Sequence, residues 1–381
     1  IELPNSLKTI SSEAFWDCRS VSSLTFGNSL ETIGESAFRN CKLLESISLP
    51  NTITRIGASA FEGCDKVLTV TLGTRLKTIE NSTFKYCRSL ESITIPNSVK
   101  EISSEAFYDC YKLATVVLGD SIESIKQNAF GYIGTSNSES TKVYIPSLDW
   151  LFRVNIEEYL NDRLFRDIYI GQQPLTTITI PDNFTEAPIL KLLYNSCISS
   201  LNTGNGLKIL PEGISRNITQ VTLGSNVTKV EAEFPEAYIV LSNNATPPII
   251  TEKTFPKCMF DNGAEGVVVL LNANDQKAYS KAKVWEGMQM SNQSNQVAVQ
   301  VSAPGSIGTD LALGLRMPVA KVVGLTVSGE INEQDIMQMN KNMMSLLYLD
   351  LSDAIVDNIP DDAFNGKQQL LSLVLPKTTK V

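Results

Sequence analysis

Apolar and polar positions alternate on a fixed beat through the first third of the chain. In "ESISL" (45–49) Ile47 and Leu49 fall on one side of a short extended run, and Ser46 and Ser48 fall on the other. The same pattern gives Leu24 and Phe26, Val70 and Leu72, Ile93 and Ile95, and Val116 and Leu118. A turn residue follows each pair: Gly27, Pro50, Gly73, Pro96, Gly119. Next come Leu30, Ile53, Leu76, Val99 and Ile122, and then Ile33, Ile56, Ile79, Ile102 and Ile125. Phe15, Phe38, Phe61, Phe84, Phe107 and Phe130 recur every 23 positions, each preceded by Ala or Thr. Cys18, Cys41, Cys64, Cys87 and Cys110 keep the same step, and Ile133 takes the sixth slot.

A strict period of this length means one supersecondary unit copied along an axis. Each unit has a strand, a Pro/Gly turn, and then "ISSEAF", whose serine and Glu13 or Glu105 suit the start of a short helical turn. A single unit cannot bury its own apolar edge. Stacking buries it, at roughly 1.5–3 kcal/mol for each large apolar side chain. The expected fold is an α/β leucine-rich-repeat solenoid, a right-handed coil with one short strand and one short helical turn per repeat. A parallel β-helix is the alternative.

L-P-N-S-L, I-x-x-x-A-F and C-x-x-L occur here in one register, and over residues 1 to about 130 the chain resembles the BspA-like (Treponema-type) leucine-rich-repeat family. That resemblance implies secretion or display on the surface of a bacterial cell, and adhesion to host or neighbouring-cell proteins. It also implies that S-x-x-W, here Ser147 to Trp150, introduces a bulge.

After residue 130 the period loosens. An irregular insertion is expected near 131–206, starting with the polar "GTSNSES" and a longer helical excursion. The array resumes at "LKILPEG" and "ITQVTLGSNVTKV" (207–230). Near 265–290, Y-x-x-A-x-x-W puts Tyr279, Ala282 and Trp285 on one helical face that would close the array. The expected division is an array over 1–290, a linker over 291–300, and over 301–381 a cap with the first repeat of a second module. In that last region "EQDIMQMNKNM" reads as a helix and "LLYLDLSDA" as a strand. The consensus returns at Ala363 and Phe364, with Lys367 in the cysteine slot. Neither end shows a cap, so a longer natural protein is expected.

Composition narrows the function. The net charge is −9 and the sequence pI is about 4.9. Nucleic acid and anionic membranes both reward basic footprints, so neither is an expected partner. No apolar run is long enough to span a membrane. There is no histidine, which removes Ser-His and Cys-His catalysis and the commonest zinc ligand. The cysteine spacing matches no zinc signature, and equivalents in stacked coils lie side by side rather than pointing at one another. The thiols are therefore expected to be buried and free. No catalytic, cofactor or metal site is expected, and the chain is read as a non-enzyme.

Two surfaces remain as candidates. One is the outer face of the strands, carrying Ser46, Ser48, Thr69, Thr71, Ser92 and Thr94, a hydroxyl-rich sheet that is either plain solvated surface or a contact face. The other lies beside the cysteines: Lys85, Tyr86, Arg88, Tyr108, Tyr111 and Lys112, with Trp16 in the same column further back. Tyr, Trp and Arg are the usual anchors of interfaces. The expected partner is a protein, with a glycan or a purely structural spacer role as alternatives. Ordinary surface aromatics are the bland explanation of the second group.

Overall fold

A computed structural model of the chain describes residues 1–134, 140–157, 164–186, 197–212, 217–237, 239–255, 268–271, 275–285, 290–292, 296–314, 322–343, 346–356, 358–365 and 370–376. "SNSES" apart from its last serine, most of the helical excursion after Ile156, and Lys367 lie outside the described residues. The chain forms two compact units. The first is Ile1–Thr176 with Pro188–Ile198; the second is Thr177–Ala187 with Ser199–Val381.

In the first unit one coil stands for the rest. Ile47, Ile53, Ile56, Ala60, Phe61, Cys64 and Val67 are each at most 1% exposed, all on the inside. Ser46–Ser48 pairs in parallel with Thr69–Thr71, and the ladder continues through Ser92–Thr94, Thr115–Val117, Lys142–Ile145 and Asp167–Ile170. Gln173–Pro174 closes this seven-stranded sheet as an antiparallel hairpin arm. The turn between the last two strands is Gly171–Gln172, and Gly171 has φ +60°, a conformation that costs glycine least.

Each coil carries a second, two-residue strand where one was expected. Thr9–Ile10, Thr32–Ile33 and Arg55–Ile56 form one small parallel sheet. Thr78–Ile79, Glu101–Ile102, Ser124–Ile125 and Asn155–Ile156 form another.

The expected helical turn is also corrected. Residues 57–63 are a run of overlapping turns in which alternate N–H groups go different ways. Those of Ala60, Glu62 and Cys64 bond locally to the carbonyls of Gly57, Ser59 and Phe61. Those of Ser59, Phe61 and Gly63 donate to Asn81, Thr83 and Lys85 in the next coil, at 2.9, 2.9 and 2.7 Å. A helix would aim every N–H along its own axis. Here left-handed residues at Ser59 and Gly63 break that run and turn half the donors along the stack. Glu13 and Glu105 occupy the left-handed slot of Ser59, so they do not sit over a helix N-terminus.

Three ladders tie the coils together. The Phe15, Phe38, Phe61, Phe84, Phe107 and Phe130 rings stack at 5.0 to 5.7 Å. Each thiol from Cys41 to Cys110 donates to the phenylalanine carbonyl of the coil before, as Cys64 does to Phe38 at 3.3 Å. Asn51 Oδ1 accepts the Thr74 N–H at 3.1 Å, and Asn5 and Asn97 do the same for Asn28 and Asp120. Pro and Gly alternate at the turn for a steric reason: a Cβ on Gly73 would lie 2.5 Å from the Pro50 carbonyl oxygen. After the regular coils, Ser147 caps the short helix Leu148–Arg153. Trp150 is buried there with its indole N–H on the Gly119 carbonyl at 3.2 Å.

In the second unit, Thr177–Thr179, Ser200–Asn202, Gln220–Leu223, Ile239–Ser242, Val268–Leu271 and Met290–Asn292 form a parallel sheet. The Phe234 and Phe255 rings stack at 5.5 Å, as the phenylalanines do in the first unit. Tyr279 and Trp285 are fully buried, but they do not share one helix. The helix Gln276–Tyr279 stops at Tyr279, and turns carry the chain on to Trp285. The Tyr279 hydroxyl bonds Ser242 Oγ and the Asn244 carbonyl, and Trp285 Nε1 donates to Pro248 O at 2.7 Å.

The strands Gln296–Gln300, Gly324–Ile331, Tyr348–Val356 and Ser372–Val374 make a further parallel sheet. The helices Ile307–Gly314 and Glu333–Asn342 cross between its first three members. The buried Asp335 carboxylate accepts the N–H groups of Gly305, Ile307 and Asn332, joining the two helix starts. Val299, Leu325, Ile336, Met339, Leu349 and Ala363 belong to one apolar core, with Phe364 packed against it. No helix among the described residues is long and apolar enough to cross a membrane.

Candidate functional site

The turns beside the cysteines all leave the coil on the same side, so residues 23 apart become neighbours. That spacing brings together Lys85, Tyr86, Arg88 and Tyr108. The Lys85 ammonium lies 5.2 Å from the Tyr86 ring centre and 4.9 Å from that of Tyr108. The Arg88 guanidinium lies 5.2 Å from the Tyr86 ring. The Tyr86 and Tyr108 rings meet edge to face at 6.2 Å, and Tyr108 meets Tyr132 at 5.2 Å. Tyr132 was not among the expected residues and is 53% exposed, the most open member of the column. Its sequence signal was its place two residues after Phe130, matching Tyr86 after Phe84.

The cations of this column already hold acids from the next coil. Lys85 Nζ bonds Glu105 at 2.6 Å, and Arg88 Nε bonds Asp109 at 3.0 Å. Burial pulls the Lys85 pKa down, yet the hydrogen bond and charge of Glu105 outweigh it, and the net shift is upward. Burial, helped by the neighbouring Tyr132 and Tyr86 hydroxyls, pushes the Tyr108 phenol up. Lys85 therefore stays charged and Tyr108 stays neutral at neutral pH, and each cation of the column faces one carboxylate. Trp16 lies in an earlier coil, exposed, with Arg39 5.8 Å from its ring. Arg39 in turn pairs with Glu62 at 2.9 Å. Tyr111 is half-buried and Lys112 is exposed, one coil on from Arg88.

On the sheet side, Ser46, Ser48, Thr69, Thr71, Ser92 and Thr94 are all exposed and arranged in register. The same rows run on through Thr115 and Val117 to Lys142, Tyr144, Asp167 and Tyr169. Thr115 pairs with Lys142 and then Asp167, and Val117 with Tyr144 and then Tyr169. The Tyr144 and Tyr169 rings stack at 5.1 Å. Beside them is a cleft of about 640 Å³ whose lining includes Asn97, Thr115, Asp120, Tyr144 and Gln172. The shared alternation of "KVYI" and "DIYI" was the available signal, but their spacing is 25, not 23.

The buried cysteines Cys41, Cys64, Cys87 and Cys110 offer no reactive centre. Burial raises Cys41 to about 11 and lifts Cys64, Cys87 and Cys110 as well. Only a thiolate attacks or ligates, so these groups are inert at neutral pH. Among the described residues no cluster of three or more His, Cys, Asp or Glu could hold a metal ion.

Among curated proteins none matches the chain. Among solved structures, a Treponema pallidum leucine-rich repeat protein is 29% identical; the match covers 38% of this chain and 71% of that one, with a TM-score of 0.33. A Bacteroides ovatus leucine-rich repeat protein is 16% identical over 77% of each chain, with a TM-score of 0.40. A leucine-rich cell surface protein of Faecalibacterium prausnitzii is 18% identical over 62% of this chain and 76% of that one, with a TM-score of 0.35. Residues 8–137 match the BspA type leucine rich repeat model in six copies. The stretch with the stacked phenylalanines and the thiol ladder is thus the part of the chain that is similar to the BspA type leucine rich repeat region.

Proposed function

We propose that the chain is a non-enzymatic binding protein, secreted or displayed on the bacterial surface, whose partners are proteins of a host or of neighbouring cells. The observation that carries this reading is the aromatic column Tyr86, Tyr108 and Tyr132 on the turn side of the first unit. Its rings are held by packing and by paired cations, so little side-chain entropy is lost on contact, which favours binding. Trp16, Tyr111 and Lys112 extend the same side, and recognition rests on ring faces rather than on net charge. The hydroxyl strand face, Ser46 to Thr94, is the second surface open to a partner. Within the second unit, the core around Leu325 and Met339 supports treating 301–381 as the cap and first repeat of a second module after an array over 1–290.

The test is retention of the purified chain on immobilised extracellular-matrix proteins. Replacing Tyr86, Tyr108 and Tyr111 together with alanine is expected to weaken retention at least about tenfold, the size of a modest interface hot spot. Unchanged retention removes the column as the binding surface. The competing reading is a spacer, favoured by the full internal pairing of Lys85 and Arg88. It predicts no retention of either protein.

A further inference from the structure

We propose that the cleft beside Tyr144 and Tyr169 binds a neutral glycan, by stacking a sugar ring on tyrosine and bonding its hydroxyls to the amides around it. One face of Tyr144 is covered by Tyr169, and Tyr144 also lines the cleft, so its remaining face is the one offered to a ligand. Aromatic rings present an apolar face with a polar tip, which suits the C–H face and the hydroxyl rim of a pyranose. The polar groups around the cleft are unspent. Asn97 uses its Oδ1 on the Asp120 N–H at 2.9 Å, leaving its amide nitrogen without a bond among the described residues. The side chains of Gln172 and Thr115 and the Tyr144 hydroxyl likewise make no hydrogen bond among the described residues. A Cβ on Gly171 would meet nothing within 4 Å, so the rim there is open.

Charge and backbone pairing choose between ligand classes. Asp120, paired with Arg153 at 2.6 Å, is the one ionisable carboxylate in the lining, and no base lines the cleft. Phosphorylated, sulfated and uronate-rich ligands are therefore disfavoured. A peptide strand would need an unpaired sheet edge. Here the strands beneath the cleft are paired on both sides, and the hairpin arm Gln173–Pro174 covers the far strand. A cleft walled by an aromatic ring, with a few convergent polar groups, is the usual form of a small-ligand site.

The experiment is native electrophoresis of the whole chain through gels containing a β-1,3-glucan, a soluble β-1,4-glucan, an α-mannan or an α-1,4-glucan. Retardation by at least one polymer is expected. Tyr144→Ala should weaken it about tenfold or more, Tyr144→Phe only about twofold, and Gln172→Ala by an intermediate factor. Gln172 is an exposed turn residue, so its variant keeps the test valid if Tyr144→Ala unfolds. The triple alanine variant of Tyr86, Tyr108 and Tyr111 should run as the parent does, which separates this site from the protein-binding column. Absence of retardation by every polymer overturns the proposal. So does retardation that survives both Tyr144→Ala and Gln172→Ala, and so does retention on a matrix protein that depends on Tyr144.

Discussion

The Phe38 carbonyl accepts two donors, the Cys41 N–H at 3.2 Å from its own coil and the Cys64 thiol at 3.3 Å from the next. This explains the choice of cysteine. The slot admits only a small side chain, is fully buried at Cys64, and offers a carbonyl that a weak S–H donor can reach. Alanine would fill the space without the bond, and serine would carry a larger desolvation cost. Burial favours the neutral thiol, so folding raises these pKa values above the ordinary 9.0, to about 11 at Cys41. The sign follows: stability from the thiols is complete below about pH 9 and is lost as pH rises through the folded values. A thiol reagent at pH 7.5 is expected to modify the half-buried Cys18 and Cys197 in the native protein and to spare Cys41, Cys64, Cys87 and Cys110 until denaturant is added. The melting temperature should fall between pH 9 and 11, and less steeply in a Cys64→Ala variant. Rapid native labelling of Cys64 would contradict the burial.

At the scale of the element, the unit of stability is the rung between two coils rather than the coil. Asn51 illustrates it: its side chain bonds the backbone and the hydroxyl of Thr74, one repeat away, and nothing in its own turn. Asn51→Ala is expected to cost about 0.5–1.5 kcal/mol in urea unfolding, the value of one hydrogen bond lost at a partly solvated site. A cost within experimental error would mean that water serves Thr74 equally well. The ion pairs Lys42–Asp65, Lys85–Glu105 and Arg88–Asp109 are rungs of the same kind. Their periodic placement was readable, since acids recur beside bases at similar intervals. Their pairing was not, because it depends on which coil stacks on which. The second short strand was missed for a related reason: a two-residue strand has no alternation to detect and exists only through its neighbours above and below.

At the scale of the molecule, the acidic balance sets what stays away. With a net charge of −9, and with Arg39, Lys42, Arg88, Lys100 and Arg153 held in ion pairs, the chain offers a poor electrostatic footprint for a polyanion. Counterion release, the main source of non-specific affinity for nucleic acid, is unavailable to such a surface. No mobility shift of duplex DNA is expected at 0.1 M salt with micromolar protein. A shift that weakens steeply with salt would show a basic face that the pairing conceals.

By itself the sequence determined the period and the inward set of side chains, because burial in a stacked coil is written locally as side-chain alternation. It also marked the outward aromatics at Trp16, Tyr86 and Tyr108. Tertiary structure decided where each backbone donor goes, which is why the expected helical turn became a run of turns bonded to the next coil. It decided that Lys85 and Arg88 hold acids, and that Tyr144 meets Tyr169 across a spacing that breaks the period. Those outcomes depend on the register between coils, and a register is a relation between segments that no single segment encodes.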